Sequence, residues 1–188
     1  MRKLIRRFRD EHATMKHLLE LFAAELDSLR DPASDPDYHL LSDIVHYFTD
    51  FPDRVHHPAE ELLLLRLQMS QPELQPVVDR LSRQHDGLTK LGQKLRLLLG
   101  SACSGHMVPR DELLEANEQF LERHHKHIDD EETLILANAE VWLNSRDWIH
   151  IEKAIQRRSD PVVDKPIREE LERLVEAIDD LADIEGAA

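Results

Sequence analysis

The sequence predicts an all-α protein, an up-down-up-down four-helix bundle with additional C-terminal helices. Only 5 of its 188 residues are glycine, and few glycines favour long helices. Apolar side chains recur at alternating spacings of three and four residues through four long stretches. Bundle helices bury one face through this pattern. The length also suits one domain with a sizeable core.

The charge and composition argue against several classes of partner and location. A net charge of −14 disfavours nucleic acid and anionic membrane surfaces, because both are negatively charged. No apolar run approaches the ~18 residues of a membrane span. No signal peptide is expected, because no apolar segment follows the basic first ten residues. The single cysteine, Cys103, excludes an internal disulfide, so we expect a cytoplasmic protein.

The first predicted helix covers residues 2–30 and has a histidine, His12, in its apolar seam. A lone buried histidine is most often structural, so its interpretation as a metal ligand depends on whether other helices repeat it. The helix ends at a loop over residues 31–36, with Asp35 or Asp37 as the N-cap of the next helix. The seam consists of Ile5, Phe8, His12, Met15, Leu19, Phe22, Leu26 and Leu29.

The second predicted helix covers residues 37–69 and has Pro52 and Pro58 in its interior. Because an interior proline removes a hydrogen bond at a cost of ~3 kcal/mol, we expect a kink or break near Pro52. Here a glutamate joins a histidine in the core, which is costly without a cation or hydrogen-bond donors. The seam consists of Val45, Thr49, Pro52, His56, Glu60, Leu63 and Leu67.

The third and fourth predicted helices, over residues 72–101 and 110–143, repeat these features. The third seam consists of Val78, Leu81, His85, Leu88, Gly92, Leu95 and Leu99. The fourth seam consists of Leu113, Asn117, Phe120, His124, His127, Glu131 and Leu134. Each of the four helices therefore has a histidine at a core position, and two of them also have a glutamate there.

Two further helices are predicted beyond the bundle. A short helix over residues 146–158 should pack on it through Trp148 and Ile151. A charged helix over residues 165–184 has an apolar stripe that suits packing on the same bundle or on a second subunit, as in a homodimer. We divide the chain into a bundle at residues 1–158 and a C-terminal helical extension at residues 159–188. The stripe consists of Leu171, Leu174, Ile178 and Leu181.

The main functional feature is a repeated arrangement of histidine and glutamate. His-x-x-x-Glu pairs occur at residues 56–60 and 127–131, an offset of 71 residues (127 minus 56). Each pair lies on one helical face and follows a lone seam histidine, at distances of 44 and 42 residues (56 minus 12 and 127 minus 85). Such a repeat is hard to explain as chance. The candidate metal ligands are His12, His56, Glu60, His85, His127 and Glu131.

Neighbouring residues offer a competing pair with the same spacing. His57 and Glu61 are also four residues apart, but the residue that matches His57 in the second half is Ile128. The repeat therefore favours His56, and we expect His57, Glu61 and His125 to point away from the site.

Three other residues remain candidates for a role beside the ligands. His124 lies on the seam one turn before His127 and is an additional ligand candidate. Glu61 and Glu132 each follow a glutamate of a pair, and carboxylates in such positions are more often solvated or support a ligand than bind the metal.

The donor set favours a pair of transition metals. Six ligands with two carboxylates suit such ions, and bundle interiors are known to hold them. Structural zinc would more often have thiolate ligands, and calcium would avoid so much imidazole.

The sequence resembles the haemerythrin-like (HHE cation-binding) family over roughly residues 1–155. The resemblance implies a four-helix bundle with a non-haem di-iron centre of two iron ions. Carried over by position, the ligands are the six candidates above, with Glu60 and Glu131 bridging. The matching stretches are Glu11-His12, residues 47–61, Gln84-His85, residues 127–132 and residues 139–148 with Asp147-Trp148.

One position departs from the oxygen-carrying members of that family. They have a second histidine one turn after the ligand of the third helix, where this chain has Thr89. Four histidines and two glutamates resemble the bacterial branch linked to nitric oxide, oxidative stress and iron–sulfur cluster repair. A missing ligand should leave iron positions open to water or a diatomic gas.

Three functional hypotheses follow. We favour a protein that binds dioxygen or nitric oxide in sensing, stress response or iron handling. The second is a di-iron enzyme of the oxidase, peroxidase or nitric oxide reductase type, or an iron–sulfur cluster repair protein. The third, a bundle without metal, is disfavoured because six polar core side chains would be costly without a cation.

Overall fold

The computed structural model describes residues 2–158 and 161–185, which form eight α-helices and no strand. The all-α prediction is confirmed. None of the described helices is long and apolar enough to cross a membrane. The helices are α1 (Lys3–Arg30), α2 (Tyr38–Phe51), α3 (His57–Ser70), α4 (Gln75–Cys103), α5 (Arg110–Asp130), α6 (Ala139–Trp142), α7 (Ser145–Arg158) and α8 (Pro161–Glu185).

The long helices surround one core in a closed ring of neighbours. Helix α1 packs against α2 and α5, and α4 also packs against α2 and α5, as a four-helix bundle requires. The apolar core is divided into two clusters. One contains Phe22 and Phe120, and the other contains Phe8 and Trp148. His12 lies between Phe8 and Phe22 on α1, so the predicted ligands fall at the level where the clusters part.

The predicted distortion near Pro52 is a π-helical turn over Pro52–His56, between α2 and α3. Pro58 has no N–H to donate, so the ordinary helical pattern cannot continue there. The N–H of His57 donates instead to the carbonyl of Pro52, five residues back, as in a π-helix. His56, which ends this turn, and His57, which follows it, are both buried, at 1% and 7% exposure.

The fourth predicted helix is not continuous, and this part of the prediction is wrong. A second π-helical turn, Glu131–Leu136, follows α5, and the N–H of Ala137 donates to the carbonyl of Glu132 at 3.1 Å. The wider turn accommodates an extra residue. The buried seam therefore shifts by one residue, from the predicted Leu134 to Ile135, which is 2% exposed.

Caps and packing fix the remaining helices. The side chain of Asp37 accepts the backbone N–H groups of His39 and Leu40, as predicted for an N-cap. Helix α7 packs against α3, and its residues Trp148 and Ile151 are buried as predicted.

The apolar stripe of α8 packs on the same chain. This helix contacts α2, and Leu171 and Ile178 belong to the larger apolar cluster. A homodimer through α8 stays a prediction, as does the division into two domains. The predicted boundary after residue 158 adjoins residues 159–160, which lie outside the described residues, as does the side chain of Leu181.

Candidate metal centre

The six predicted ligands meet in one buried layer of the bundle. They come from all four long segments, and two of them lie in the π-helical turns. His12 is on α1, His56 ends the first π-helical turn, Glu60 is on α3, His85 is on α4, His127 is on α5, and Glu131 begins the second π-helical turn.

Four of these residues form what we call the first group: His12, His56, Glu60 and Glu131. Each offers a donor atom within 4.8 Å of the others. The Nε2 atoms of His12 and His56 are 3.0 Å apart. His12 Nε2 lies 3.3 Å from a Glu131 oxygen, and His56 Nε2 lies 3.2 Å from a Glu60 oxygen. Two imidazoles and two carboxylates thus face one another in the core.

The second group consists of His57, Glu60, His85 and His127, with donor atoms within the same 4.8 Å. Nε2 of His85 lies 3.8 Å from the second Glu60 oxygen and 3.2 Å from a Glu131 oxygen. Nε2 of His127 lies 3.5 Å from the other Glu131 oxygen. Both glutamates therefore face both groups, the arrangement that two bridging carboxylates need.

His57 is the residue that the sequence interpretation missed. The expectation that it points away is wrong, because its ring stacks on that of His85 with centroids 4.1 Å apart and an interplanar angle of 18°. The sequence did contain a signal, the adjacent histidines before Pro58. The argument from the repeat rejected it because the residue that matches His57 in the second half of the chain is Ile128.

Two other histidines near the layer, His124 and His125, lie outside both groups. His124 is buried, and its Nδ1 pairs with the carbonyl of Phe120 on its own helix at 2.9 Å. Burial lowers the pKa of His124 to about 3. His125 is half-buried and takes no part in either group, as predicted.

In the first group, carboxylates accept hydrogen bonds from Nδ1 of both histidines, the nitrogen that faces away from the centre. Nδ1 of His12 donates to Glu132 at 3.0 Å, and Nδ1 of His56 donates to Glu11 at 2.7 Å. Such a bond fixes the ring and its tautomer, and it leaves Nε2 for a metal.

The second group repeats this support with one change. Nδ1 of His85 donates to Glu61 at 2.8 Å, whereas Nδ1 of His127 donates to the amide oxygen of Gln84 at 3.2 Å. The support runs crosswise between the halves of the chain, because Glu132 and Glu61 each hold the lone histidine of the other half. Of the two alternatives expected for these glutamates, solvated or supporting a ligand, the structure shows the supporting one.

The two shared glutamates are held in their charged form. Burial and the neighbouring Glu60 raise the pKa of Glu131, but His127, His12 and His85 outweigh them and lower it to about 2. Burial likewise opposes the charge on Glu60, but hydrogen bonds and charge from the histidines hold its pKa well below the ordinary value.

The histidines divide into two electrostatic classes. Burial lowers the pKa of His12 and of His85, but carboxylate hydrogen bonds outweigh it and raise the values to about 11 and about 10. The pKa of His56 is also raised, mainly by Glu60 against burial. Burial dominates at His57 and His127, whose pKa values are lowered.

A surface cavity of about 450 Å³ reaches the second group. The rings of His57 and His85 form part of its wall, so this group is accessible from outside. The remaining lining residues are mostly polar: Asp53, Pro58, Glu61, Ser82, Asp86, Thr89 and Arg158.

Three atoms at the centre of the layer indicate that cations fit there. Among the described residues, one oxygen of Glu60, one oxygen of Glu131 and Nε2 of His127 are buried without a hydrogen-bond partner. Buried polar atoms are rarely left in this state. A metal bound to them would satisfy all three, and imidazole with carboxylate is a donor set for transition metals.

The model of the Hemerythrin HHE cation binding domain matches residues 3–139. This match includes all six predicted ligands and His57. No curated protein and no solved structure matches the chain. The chain therefore belongs to the hemerythrin HHE cation-binding family, and its histidine and glutamate groups are suited to binding metal.

Proposed function

We propose that this hemerythrin-family chain holds a non-haem di-iron centre and binds a diatomic ligand, dioxygen or nitric oxide, in sensing, stress response or iron handling. The ligands would be the predicted six: His12, His56, Glu60, His85, His127 and Glu131. One observation carries the proposal, namely the presence of two donor groups that share Glu60 and both face Glu131.

The donor chemistry supports iron over other ions. Nitrogen and carboxylate oxygen in similar numbers suit iron in helical bundles, and neither group includes a thiolate. When bound, iron would supply a redox-active, Lewis-acidic centre for a small ligand.

The residues of the chain prepare the centre in three ways. Glu60 and Glu131 remain charged and so balance the charge of the cations. Hydrogen bonds at Nδ1 turn the imidazoles inward before any metal arrives, which lowers the ordering cost of binding. The apolar clusters on either side of the layer shield the first group from water, whereas the cavity reaches the second group.

Access distinguishes the two metal positions. In the first group, His12 and His56 are each only 1% exposed, and the edge of the His56 ring meets Phe8 with centroids 5.5 Å apart. The second group borders the cavity beside Thr89. A diatomic ligand would therefore reach the second position first.

Metal analysis of natively expressed protein, with optical spectra before and after air or nitric oxide, tests this proposal. We expect close to two iron ions per chain and a spectrum that changes with one of the gases. A His124→Ala variant serves as control, because it loses a buried histidine outside both groups. Protein that binds fewer than two metals, or whose spectrum responds to neither gas, would refute the di-iron gas-binding function.

The cavity also supports a second candidate function, a di-iron enzyme. Its volume of about 450 Å³ exceeds what a diatomic molecule needs, so a larger substrate could approach the second position. An oxidase, a peroxidase, a nitric oxide reductase or an iron–sulfur cluster repair protein would use such a site. Turnover of peroxide or nitric oxide by the iron-loaded protein would favour this function over simple binding.

A further inference from the structure

We propose that His57 is a ligand of the metal in the second group, and that Asp53 and Thr89 hold its ring in the binding orientation. This inference deepens the proposed two-metal centre and depends on it. It gives the second position three imidazoles, those of His57, His85 and His127, whereas the first position has two.

The first observation is the place of the His57 ring. One of its nitrogens lies within 4.8 Å of donor atoms of Glu60, His85 and His127. The ring is parallel to that of His85 and nearly perpendicular to that of His127, with centroids 5.5 Å apart and an angle of 84°. The imidazole thus lies beside the second metal position, among the side chains that would hold the ion.

The second observation is a carboxylate beside this ring, which is itself held by a hydrogen bond. The hydroxyl of Thr89 donates to Oδ1 of Asp53 at 2.8 Å, and the same oxygen lies 3.5 Å from Nδ1 of His57. The other four histidines of the two groups also have Nδ1 against a side-chain oxygen, as described above. His57 therefore shares the support of a ligand, with Nε2 left for the metal.

A comparison with His124 separates this arrangement from simple burial. Both histidines are buried and pack against another ring. Nδ1 of His124, however, faces a backbone carbonyl of its own helix, and His124 belongs to neither group. Burial alone does not produce a carboxylate at Nδ1 and three donor atoms nearby.

The main test replaces each of the two histidines with phenylalanine. His57→Phe keeps a ring that can stack on His85 but removes its nitrogens, and His124→Phe is the matched control. Binding of Fe²⁺ without oxygen, and of Co²⁺ followed by its visible spectrum, should show two ions in the wild type and in the control. In His57→Phe the second ion should bind at least ~10-fold more weakly, with a changed Co²⁺ spectrum.

The alternatives to a ligand role give different results. If His57 only packs, His57→Phe will bind two ions with wild-type affinity and spectrum, and the inference will be overturned. Circular dichroism of the chelated proteins checks folding. Should His57→Phe fail to fold, the smaller His57→Gln variant provides the same readout.

Chemical rescue provides an independent readout. The cavity borders His57, so free imidazole can enter the space left by His57→Ala. Added imidazole should restore the second Co²⁺ spectrum in this variant and should leave His124→Ala unchanged. A structural role would not be rescued in this way, so absence of rescue together with wild-type binding would exclude a ligand role.

The positioning residues are tested through the affinity for the second ion. Asp53→Asn and Thr89→Val should each weaken it by about 10-fold, the lower end of the range for residues that support a metal ligand. The first ion should bind unchanged in both variants. If the wild type itself fails to bind two ions, the proposed function fails. If the wild type binds two and none of these variants differs from it, only the role of His57 fails.

Discussion

The two donor groups share carboxylates and ligand spacing but differ in support and access. In the first group, carboxylates hold both imidazoles, those of His12 and His56, and the rings lie deep in the core. In the second group, the amide of Gln84 replaces one carboxylate, and a cavity reaches His57 and His85. The pKa values of the second group are mixed: burial prevails at His57 and His127 and lowers theirs, whereas at His85 burial is outweighed by carboxylate hydrogen bonds, which raise its pKa.

This difference indicates a division of labour within one repeated motif. A closed site with charged support favours tight retention of a cation, whereas an open site with weaker support favours exchange with small molecules. In the proposed centre the repeat would supply two metal positions, and departures from the repeat would give each position its own role. The following predictions test that division, beginning with the largest expected effect.

Removal of metal should produce the largest effect, on the melting temperature at pH 7. In the chelated protein, protonated His12, His56 and His85 balance the glutamates, and their raised pKa values make this stabilisation fullest below pH ~6.5. This stabilisation decreases as the pH rises towards the pKa values that the three histidines have in the folded protein. Metal binding requires the same rings to be neutral and so weakens on acidification. Metal-loaded protein should therefore melt well above the chelated form at pH 7, and the gap should narrow at pH 5.

His57 and His127 sharpen this test because their pKa values are lowered even without metal. Their contribution is lost as the pH falls below ~6.5 in both forms, so it largely cancels in the difference. Thermal melts with and without chelator at both pH values provide the measurement. Equal melting temperatures at pH 7 would contradict the metal-ligand role of the whole layer.

Glu60→Ala should produce the next largest effect, because this carboxylate belongs to both groups. We expect the loss of at least one metal equivalent. We also expect a loss of about 3–5 kcal/mol in the free energy of unfolding, since His12 and His56 lose a buried partner. Glu61→Ala is the comparison, because it removes the support of His85 and a hydrogen bond from Ser82 but leaves both shared carboxylates in place. Full metal occupancy in Glu60→Ala would rule out the bridging role.

The sequence predicted most of the fold because its signals are periodic. The seams placed His12 and His85 in the core, and Pro52 indicated a distortion of the second segment. The second π-helical turn had no such signal, since no proline or glycine lies in Glu131–Leu136. There the hydroxyl of Thr133 donates to the carbonyl of Asp129 at 2.6 Å. This side-chain bond competes with the backbone hydrogen bonds of the helix, and periodicity does not reveal it.

The clustering of the six candidate residues was predicted where the repeat holds, and the place of His57 was missed where the repeat fails. His57 has no counterpart in the second half of the chain, so an argument from symmetry rejected it. Its contact with the second group depends on a π-helical turn and on a bond between Asp53 and Thr89 across two helices. A pairing between residues 36 positions apart follows from packing, which neither spacing nor propensity specifies.

Gly92→Ala should have an intermediate effect, concentrated on the second group. A Cβ at Gly92 would lie 2.8 Å from the Thr49 methyl group, and the Thr49 hydroxyl is bonded to the carbonyl of Val45. Overpacking destabilises a protein by ~1–3 kcal/mol, and the better helix propensity of alanine offsets up to ~1 kcal/mol of this. We therefore expect the free energy of unfolding to fall by about 1 kcal/mol. Separation of α2 from α4 should also move His85 away and weaken the second ion.

Gly87→Ala is the matched control on the same helix. No atom lies within 4 Å of the added Cβ, so helix propensity should stabilise the protein by ~0.5–1 kcal/mol. Urea denaturation of both variants, with metal titration, provides the comparison. A stabilised Gly92→Ala variant would show that α2 and α4 do not need this close approach.

Gln84→Glu should have the smallest effect, and it tests why the two halves differ. The Gln84 amide accepts from Nδ1 of His127 at 3.2 Å and donates to Asp130 at 2.9 Å. A carboxylate at position 84 could still accept from Nδ1 of His127, but it could not donate to Asp130. The two negative charges would then repel each other. Arg80 and Lys126 lie within 4 Å of Asp130 and offset part of the repulsion. We therefore expect a loss of about 1 kcal/mol or less in the free energy of unfolding, and slightly weaker binding of the second ion.

The double variant Gln84→Glu/Asp130→Asn tests whether the charge of Asp130 causes the effect of the single substitution. The new amide at position 130 can donate to the new carboxylate at position 84, which then supports His127 as Glu11 supports His56 in the first group. Charged support should make the ring a better ligand, so the second ion should bind at least as tightly as in the wild type. Tighter binding of the second ion in the Gln84→Glu variant would show that Asp130 does not require an amide at position 84. If the double variant binds the second ion no better than the single one, the amide does not account for the difference between the groups, and the open cavity beside His57 remains as its physical cause.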